Sequence, residues 1–170
     1  KKIETGAVIE QDMSENQAKY VYLGIGSNLG NKKNNIEKAK FLLSKKEIKI
    51  IKSSNFYESP SWPNINNPKF LNIVLKIYTY LDPTELLDNC KEIEKILGRK
   101  KSIVNSPRTC DVDIIDYNSQ KIKGIVTSPH PRMHIRNFVL FPLFELDRDW
   151  RHPISKIHIK NLLLFLSKKD

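Results

Sequence analysis

An α+β fold is what the sequence predicts, on three observations. Four apolar runs alternate in the manner of strands, at residues 20–25, 48–57, 70–81 and 111–115. Two stretches, 31–46 and 82–97, repeat their apolar residues at helical spacing. Their order along the chain is strand, helix, strand, strand, helix, strand, the β-α-β-β-α-β order of a ferredoxin-like core with an antiparallel sheet. Extra C-terminal strands and helices are expected beyond that core.

The first run, Tyr-Val-Tyr-Leu-Gly-Ile at 20–25, is closed by Gly26-Ser27-Asn28. Gly24, Gly26 and Gly30 then read as a tight strand-to-helix turn built on the permissive glycine backbone. They do not read as a dinucleotide fingerprint, because Leu29 stands where a glycine is needed. The first helix presents Ile36, Ala39, Leu42 and Leu43 on one face. A strand at 48–57 leads into residues 58–69, whose three prolines predict an irregular loop. In the long run at 70–81, Leu71, Ile73, Leu75 and Ile77 share one face, and Phe70, Asn72, Val74, Lys76, Tyr78 and Tyr80 share the other. Asp82 is an N-cap, Pro83 fits the first helical position and Glu85 completes a capping box. Leu86, Leu87, Cys90, Ile93, Ile96 and Leu97 form the apolar stripe of that second helix, and Gly98 ends it. After the last core strand come a short strand or hairpin near 121–127, a loop over 128–136, a helix over 137–146 and an amphipathic segment over 157–166 that docks as a helix.

The chain has 170 residues, 39% apolar and 28% charged, which suits one globular domain over 20–170 preceded by a tail or linker at 1–19. No apolar run is long enough for a bilayer, and the first residues hold no secretory apolar stretch. The two cysteines, Cys90 and Cys110, suggest neither a disulfide framework nor a zinc site, so the cytoplasm is the expected compartment. A net charge of +10 favours polyanionic partners such as nucleotides.

The chemistry concentrates in Ser106-Pro107-Arg108-Thr109-Cys110-Asp111-Val112-Asp113-Ile114-Ile115. On a strand, Asp111 and Asp113 project from one face, and Val112 and Ile114 from the other. Two carboxylates that close need a neutralising partner, and Mg²⁺ arriving with phosphates supplies one. The plain alternative is a solvated strand edge. Arg99, Lys100, Lys101 and Arg108 flank the pair with cations suited to phosphate oxygens, or else with an ordinary solvated loop. The segment His130-Pro131-Arg132-Met133-His134-Ile135-Arg136-Asn137-Phe138 adds a second cationic cluster. Zinc is not expected there, because Pro131 breaks helical spacing between the histidines and no third ligand is apparent. Phe70 and Phe138 are candidates to stack a flat heterocycle while the Asn72 amide reads its edge; either ring alone would serve equally as core.

Together these segments resemble the 6-hydroxymethyl-7,8-dihydropterin pyrophosphokinase family of folate biosynthesis. The resemblance covers residues 20–166. It rests on Gly-Ser-Asn-Leu-Gly at 26–30, Phe-Tyr-Glu-Ser-Pro at 56–60, Phe-Leu-Asn at 70–72, Glu-Ile-Glu at 92–94 before Gly98-Arg99, Pro-Arg-Thr-Cys-Asp-Val-Asp at 107–113, Pro-His-Pro-Arg at 129–132, and Arg-Asn-Phe-Val-Leu-Phe-Pro-Leu at 136–143. It implies transfer of the ATP diphosphate to the pterin hydroxymethyl oxygen with release of AMP, and two Mg²⁺ ions held by Asp111 and Asp113. It implies a pterin site of Ser59, Pro60, Phe70, Asn72 and Phe138. It implies nucleotide contacts from Lys91, Glu94, Arg99, Lys101, Arg108, Ile114, His130 and Arg136, with Arg99, Asp111, Asp113 and Arg108 as the catalytic set. The substrates are small molecules; neither nucleic acid nor membrane is expected as a partner, and the chain is expected to be a monomer, with fusion to another folate enzyme open. Val104-Asn105-Ser106 stands where many relatives carry Arg-Trp-Gly, and the loop over 100–106 looks about one residue shorter than theirs, so Trp62 in the other loop is a candidate lid. The competing reading is a ferredoxin-like RNA-binding module, which the high pI also suits but for which the strand at 69–76 lacks the required glycine and aromatic spacing.

Overall fold

The structure is a computed structural model and describes residues 17–100 and 103–166. Five strands and four helices follow in the order β1 (Lys19–Ser27), α1 (Lys32–Ser44), β2 (Ile48–Ser53), β3 (Tyr57–Ser59), β4 (Phe70–Thr79), α2 (Pro83–Ile96), β5 (Asp111–Tyr117), α3 (Asn137–Leu146) and α4 (Ile159–Leu166). The sheet runs β2-β4-β1-β5, with β3 added to β4, and every pairing is antiparallel. Leaving β3 aside, this is the expected core.

Alternation in the strands divides the core in two. Val21, Leu23, Ile25, Ile73, Leu75, Ile77, Val112 and Ile114 face α1 and α2, meeting Ile36, Leu43, Leu86 and Ile93. Tyr22, Val74 and Ile115 face the opposite way and are covered by α3 and α4 through Val139, Leu140, Leu143, Ile159 and Leu162. That second layer occupies the sheet face an RNA-recognition domain keeps open, which counts against the binding-module reading.

The capping box of α2 forms as expected: Asp82 accepts from the Glu85 N–H at 2.8 Å, and Glu85 accepts from the Asp82 N–H at 2.9 Å. Its apolar stripe needs one correction. Ile96 is exposed, and Glu94 takes the buried position instead, because the Val112 N–H and Arg99 require an acceptor there. The irregular loop over 58–69 begins with β3, a strand of three residues that is too short to show alternation. The expected C-terminal strands are absent among the described residues. Only two isolated bridges stand in their place, Ile122 with Ser128 and Arg151 with His158. No helix among the described residues is long and apolar enough to cross a membrane.

Candidate active site

Where the second sheet face runs out from under α3 it becomes the floor of a cleft of about 740 Å³. Strand register places its chemistry. Asn72 of β4 and Asp111 of β5 both pair with Gly26 of β1, and Val74 and Asp113 both pair with Gly24. The central strand therefore carries hydrogen where its neighbours carry side chains. A Cβ on Gly26 would lie 3.1 Å from Asn72 Oδ1 and 3.4 Å from Phe70 Cδ1. A Cβ on Gly24 would lie 3.2 Å from Ile115 Cδ1. These two glycines serve by lacking a side chain rather than by making the predicted turn; Gly30, at φ +71°, serves the turn.

On the β4 side, Phe70, Asn72, Ser59 and Pro60 line the cleft, and Phe138 at the start of α3 lines it too. The Asn72 amide donates to Ser59 Oγ at 2.9 Å and to the Tyr57 carbonyl at 3.2 Å, which fixes the orientation of its oxygen. Trp62 lines the same mouth and is 72% exposed, the arrangement of a ring waiting for something to cover.

On the β5 side lie Asp111 and Asp113. Asp111 accepts from Arg99 Nη1 at 2.7 Å and lies 3.6 Å from Arg108 Nε. Arg99 also reaches the buried Glu94 at 2.8 Å, and Glu94 accepts from the Val112 N–H at 2.8 Å. Neither oxygen of Asp113 has a hydrogen-bond or ion-pair partner among the described residues. Burial, then Asp111 and Glu94, push the Asp113 carboxyl up to about 6. An unpartnered carboxylate beside a second one is the donor set Mg²⁺ uses when phosphates complete its shell. No cluster of three or more His, Cys, Asp and Glu is present among the described residues, so an all-protein cage is not on offer.

Cations ring the acids. Lys91, Arg99, Arg108, His130, Arg132 and Arg136 all line the cleft. Burial and the neighbouring Arg136 and Arg132 lower His130 to about 4, so it is neutral at pH 7. Its Nδ1 accepts from the Arg132 N–H at 3.1 Å, which leaves the proton on Nε2 as a donor. The Arg108 and Arg136 guanidinium groups sit 5.4 Å and 5.5 Å from the Phe70 and Phe138 ring centres.

Twelve of the predicted site residues thus share one cleft: Ser59, Pro60, Phe70, Asn72, Lys91, Arg99, Arg108, Asp111, Asp113, His130, Arg136 and Phe138. Glu94 lies beneath it and acts through Arg99 and the β5 backbone. Ile114 does not reach the cleft; its side chain is packed against α1 and α2, where alternation puts it. Lys101 lies outside the described residues. His134 points away from the cleft residues and stacks edge-on with His152 at 6.0 Å.

Sequence reasoning missed Asn28. It is buried, donates to Ser61 Oγ at 3.0 Å and the Pro68 carbonyl at 3.1 Å, and accepts from the Arg108 N–H at 2.8 Å. One amide therefore fastens the Trp62 loop and the Arg108 loop to the exit of β1. Arg132 and Ile135 also line the cleft, though neither was assigned a role.

Comparisons with known proteins point to one family. The family model described as 7,8-dihydro-6-hydroxymethylpterin-pyrophosphokinase matches residues 22–148. The 2-amino-4-hydroxy-6-hydroxymethyldihydropteridine pyrophosphokinase of Aquifex aeolicus is 41% identical over 143 residues, covering 82% of this chain and 88% of that one. The folic acid synthesis protein fol1 of Pneumocystis carinii is 41% identical over 140 residues, but the match spans 82% of this chain and only 19% of that protein. The bifunctional protein FolKE of Lactococcus lactis subsp. cremoris is 42% identical, with 79% and 40% covered. A crystal structure of Plasmodium falciparum HPPK-DHPS superposes with a TM-score of 0.71 at 17% identity, over 92% of this chain and 46% of that one, a likeness of fold. The chain thus spans nearly all of one relative and less than half of the others named.

Proposed function

The chain belongs to the 7,8-dihydro-6-hydroxymethylpterin-pyrophosphokinase family, and we propose that it transfers the diphosphate of ATP to the 6-hydroxymethyl group of 6-hydroxymethyl-7,8-dihydropterin, giving the pterin diphosphate and AMP. The observation that carries this reading is the division of labour across one glycine-floored cleft. The Asn72 amide and the Phe70 ring stand on β4, with the Phe138 ring of α3 lining the same cleft, and two carboxylates with their cations stand on β5, two strand spacings or about 10 Å from β4. A flat heterocycle over β4 sends its hydroxymethyl arm toward the phosphates over β5.

In this reading Phe70 and Phe138 stack the pterin, Asn72 with the backbone at Ser59 and Pro60 reads its edge, and Trp62 closes over it. Asp111 and Asp113 would hold Mg²⁺, two ions in the family's manner, which suits Asp113 oxygens that have no hydrogen-bond or ion-pair partner among the described residues. Bound there, the metal neutralises phosphate oxygens and stabilises the leaving AMP oxygen. Lys91, Arg99, Lys101, Arg108, His130 and Arg136 position the triphosphate, the neutral His130 as a hydrogen-bond donor and the arginines as forks. The hydroxymethyl oxygen bonds the β-phosphorus as the bond from that phosphorus to the α-phosphate oxygen breaks; AMP leaves with that oxygen, and the hydroxyl proton is released to solvent. Such a transfer asks a protein mainly for alignment and for charge matched to the transition state, which is what these residues supply.

We further propose that the chain works as a monomeric domain over residues 20–170 in the cytoplasm, with small molecules as its substrates. The test is AMP release from ATP and Mg²⁺ with and without 6-hydroxymethyl-7,8-dihydropterin. A rate unchanged by the pterin defeats the proposal.

A further inference from the structure

We infer that Glu145, at the far end of α3 from the cleft, is a positioning residue that sets the width of the heterocycle slot. Phe138 and Glu145 are seven residues apart on α3, close to two full turns, so they project from the same side of the helix about 10 Å apart. The Glu145 carboxylate reaches the segment that leads into β3. It accepts from the Asn55 N–H at 3.0 Å, from the Asn55 amide at 2.7 Å and from the Tyr57 hydroxyl at 2.7 Å. Burial and this hydrogen bond raise Tyr57 to about 12, so its hydroxyl keeps its proton and remains a donor.

The other end of that connection is the opposite wall of the slot. Tyr57 pairs with Asn72 and Ser59 pairs with Phe70 in the β3–β4 ladder. The Tyr57 carbonyl and Ser59 hydroxyl are the groups that orient the Asn72 amide. A continuous path therefore runs from the Phe138 ring down α3 to Glu145, across to Tyr57, and back along β3 to Asn72 and Phe70. Glu145 is the polar link between helix and strand on this path.

Two features explain why such a link is needed. Pro142 sits inside α3 and cannot donate to the carbonyl four residues back, which is that of Phe138. The turn bearing the ring thus has one helical hydrogen bond fewer to hold it. And β3 is an edge strand of only three residues, paired on one side. Loss of Glu145 does not release the helix as a whole: Val139, Leu140 and Leu143 stay in the second core layer, and Tyr22 still donates to Asp147 at 2.8 Å beyond the helix end.

This inference rests on the pterin reading of the slot. The test is calorimetric binding to the full chain of a nonhydrolysable ATP analogue with Mg²⁺, then of 6-hydroxymethyl-7,8-dihydropterin to that complex, for wild type, Glu145→Ala, Glu145→Gln, Tyr57→Phe and the Glu145→Ala/Tyr57→Phe pair. Glu145→Ala removes all three hydrogen bonds to its carboxylate. It is expected to weaken pterin binding about tenfold, the scale of one hydrogen bond to a charged acceptor because the rest of the cost falls on the free protein as well, and to change analogue binding less than about twofold. Glu145→Gln, which keeps one acceptor oxygen, falls between. The double variant is expected to be no weaker than Glu145→Ala alone, because both changes break the same link. Equal weakening of both ligands would show a general structural role and overturn the inference. So would pterin binding that is unchanged in Glu145→Ala. Failure of the wild-type complex to bind the pterin at all would instead overturn the parent reading, and this one with it.

Discussion

Replacing Gly26 by Ala separates the slot from the fold. The new methyl carbon would meet Asn72 Oδ1 at 3.1 Å and Phe70 Cδ1 at 3.4 Å, so one of them must give by a few tenths of an ångström. Asn72 is not free to give. Its amide is held at 2.9 and 3.2 Å by Ser59 and Tyr57, and turning it away breaks at least one of those bonds, about 1 kcal/mol. That bond is lost with or without ligand and so bears on stability; the displaced oxygen's lost alignment with the heterocycle edge bears on binding, so pterin binding should weaken by about 1.5 kcal/mol, or roughly tenfold. Strand stability moves the other way, because alanine loses less backbone entropy than glycine by about 0.5–1 kcal/mol. The predicted pattern is a melting temperature near that of wild type, pterin binding down about tenfold, and Mg-nucleotide binding little changed. Calorimetry and a thermal melt measure all three. Unchanged pterin affinity in a folded Gly26→Ala protein would refute the claim that the bare floor under Asn72 shapes the slot.

Loss of a carboxylate at the phosphate end should act on turnover: Asp113→Ala is expected to lower kcat at least ~100-fold with the fold intact, and near-normal AMP release would contradict it. Because the Asp113 carboxyl is raised to about 6, it gains a proton as pH falls through that value, and only the ionised form ligates a metal. Mg-dependent nucleotide binding should therefore be full above pH 7 and fall as the pH drops through 6, whereas an exposed carboxylate would hold the metal down to about pH 4; titration of analogue binding at fixed Mg²⁺ reads the difference. Asn28→Ala strips three hydrogen bonds from a buried position and leaves the Arg108 N–H without its acceptor. It is expected to lower stability by about 1–3 kcal/mol in urea melts and to weaken both ligands together, since both loops lose their common anchor.

What the sequence revealed is what local chemistry decides. The α2 capping box lies within four consecutive residues and needed no tertiary information. Asp111 and Asp113 share a face because β5 keeps its alternation that far. Beyond Ile115 it does not. The register against β1 slips between Tyr22 and Leu23, and the extra residue turns Asp116 to the α3–α4 side, where it accepts from Trp150 Nε1 at 2.9 Å. Nothing in the local residues announces that bulge. Glu94 displaced Ile96 from the buried stripe for a similar reason, because its partners, Val112 and Arg99, arrive only with the fold. In the sequence Gly24 and Gly26 read as a turn, through their backbone freedom; that they serve as absent side chains depends on which residues sit opposite, which only strand register supplies. Asn28 and Glu145 were invisible because their partners lie 33 to 90 residues away.

The grip of Arg99 and Arg108 on Asp111 has a consequence for the order of capture. In the resting protein Arg99 is hydrogen-bonded to one Asp111 oxygen at 2.7 Å and Arg108 stands 3.6 Å from the other, so this acid has its counter-charge in place before any metal enters. Phosphate oxygens change that balance by claiming the two arginines for themselves. On the proposed reading Asp111 would be freed as its replacement counter-charge arrives with the phosphates. In that reading, metal and nucleotide would then be taken up together, and Asp111 would offer magnesium alone no free carboxylate.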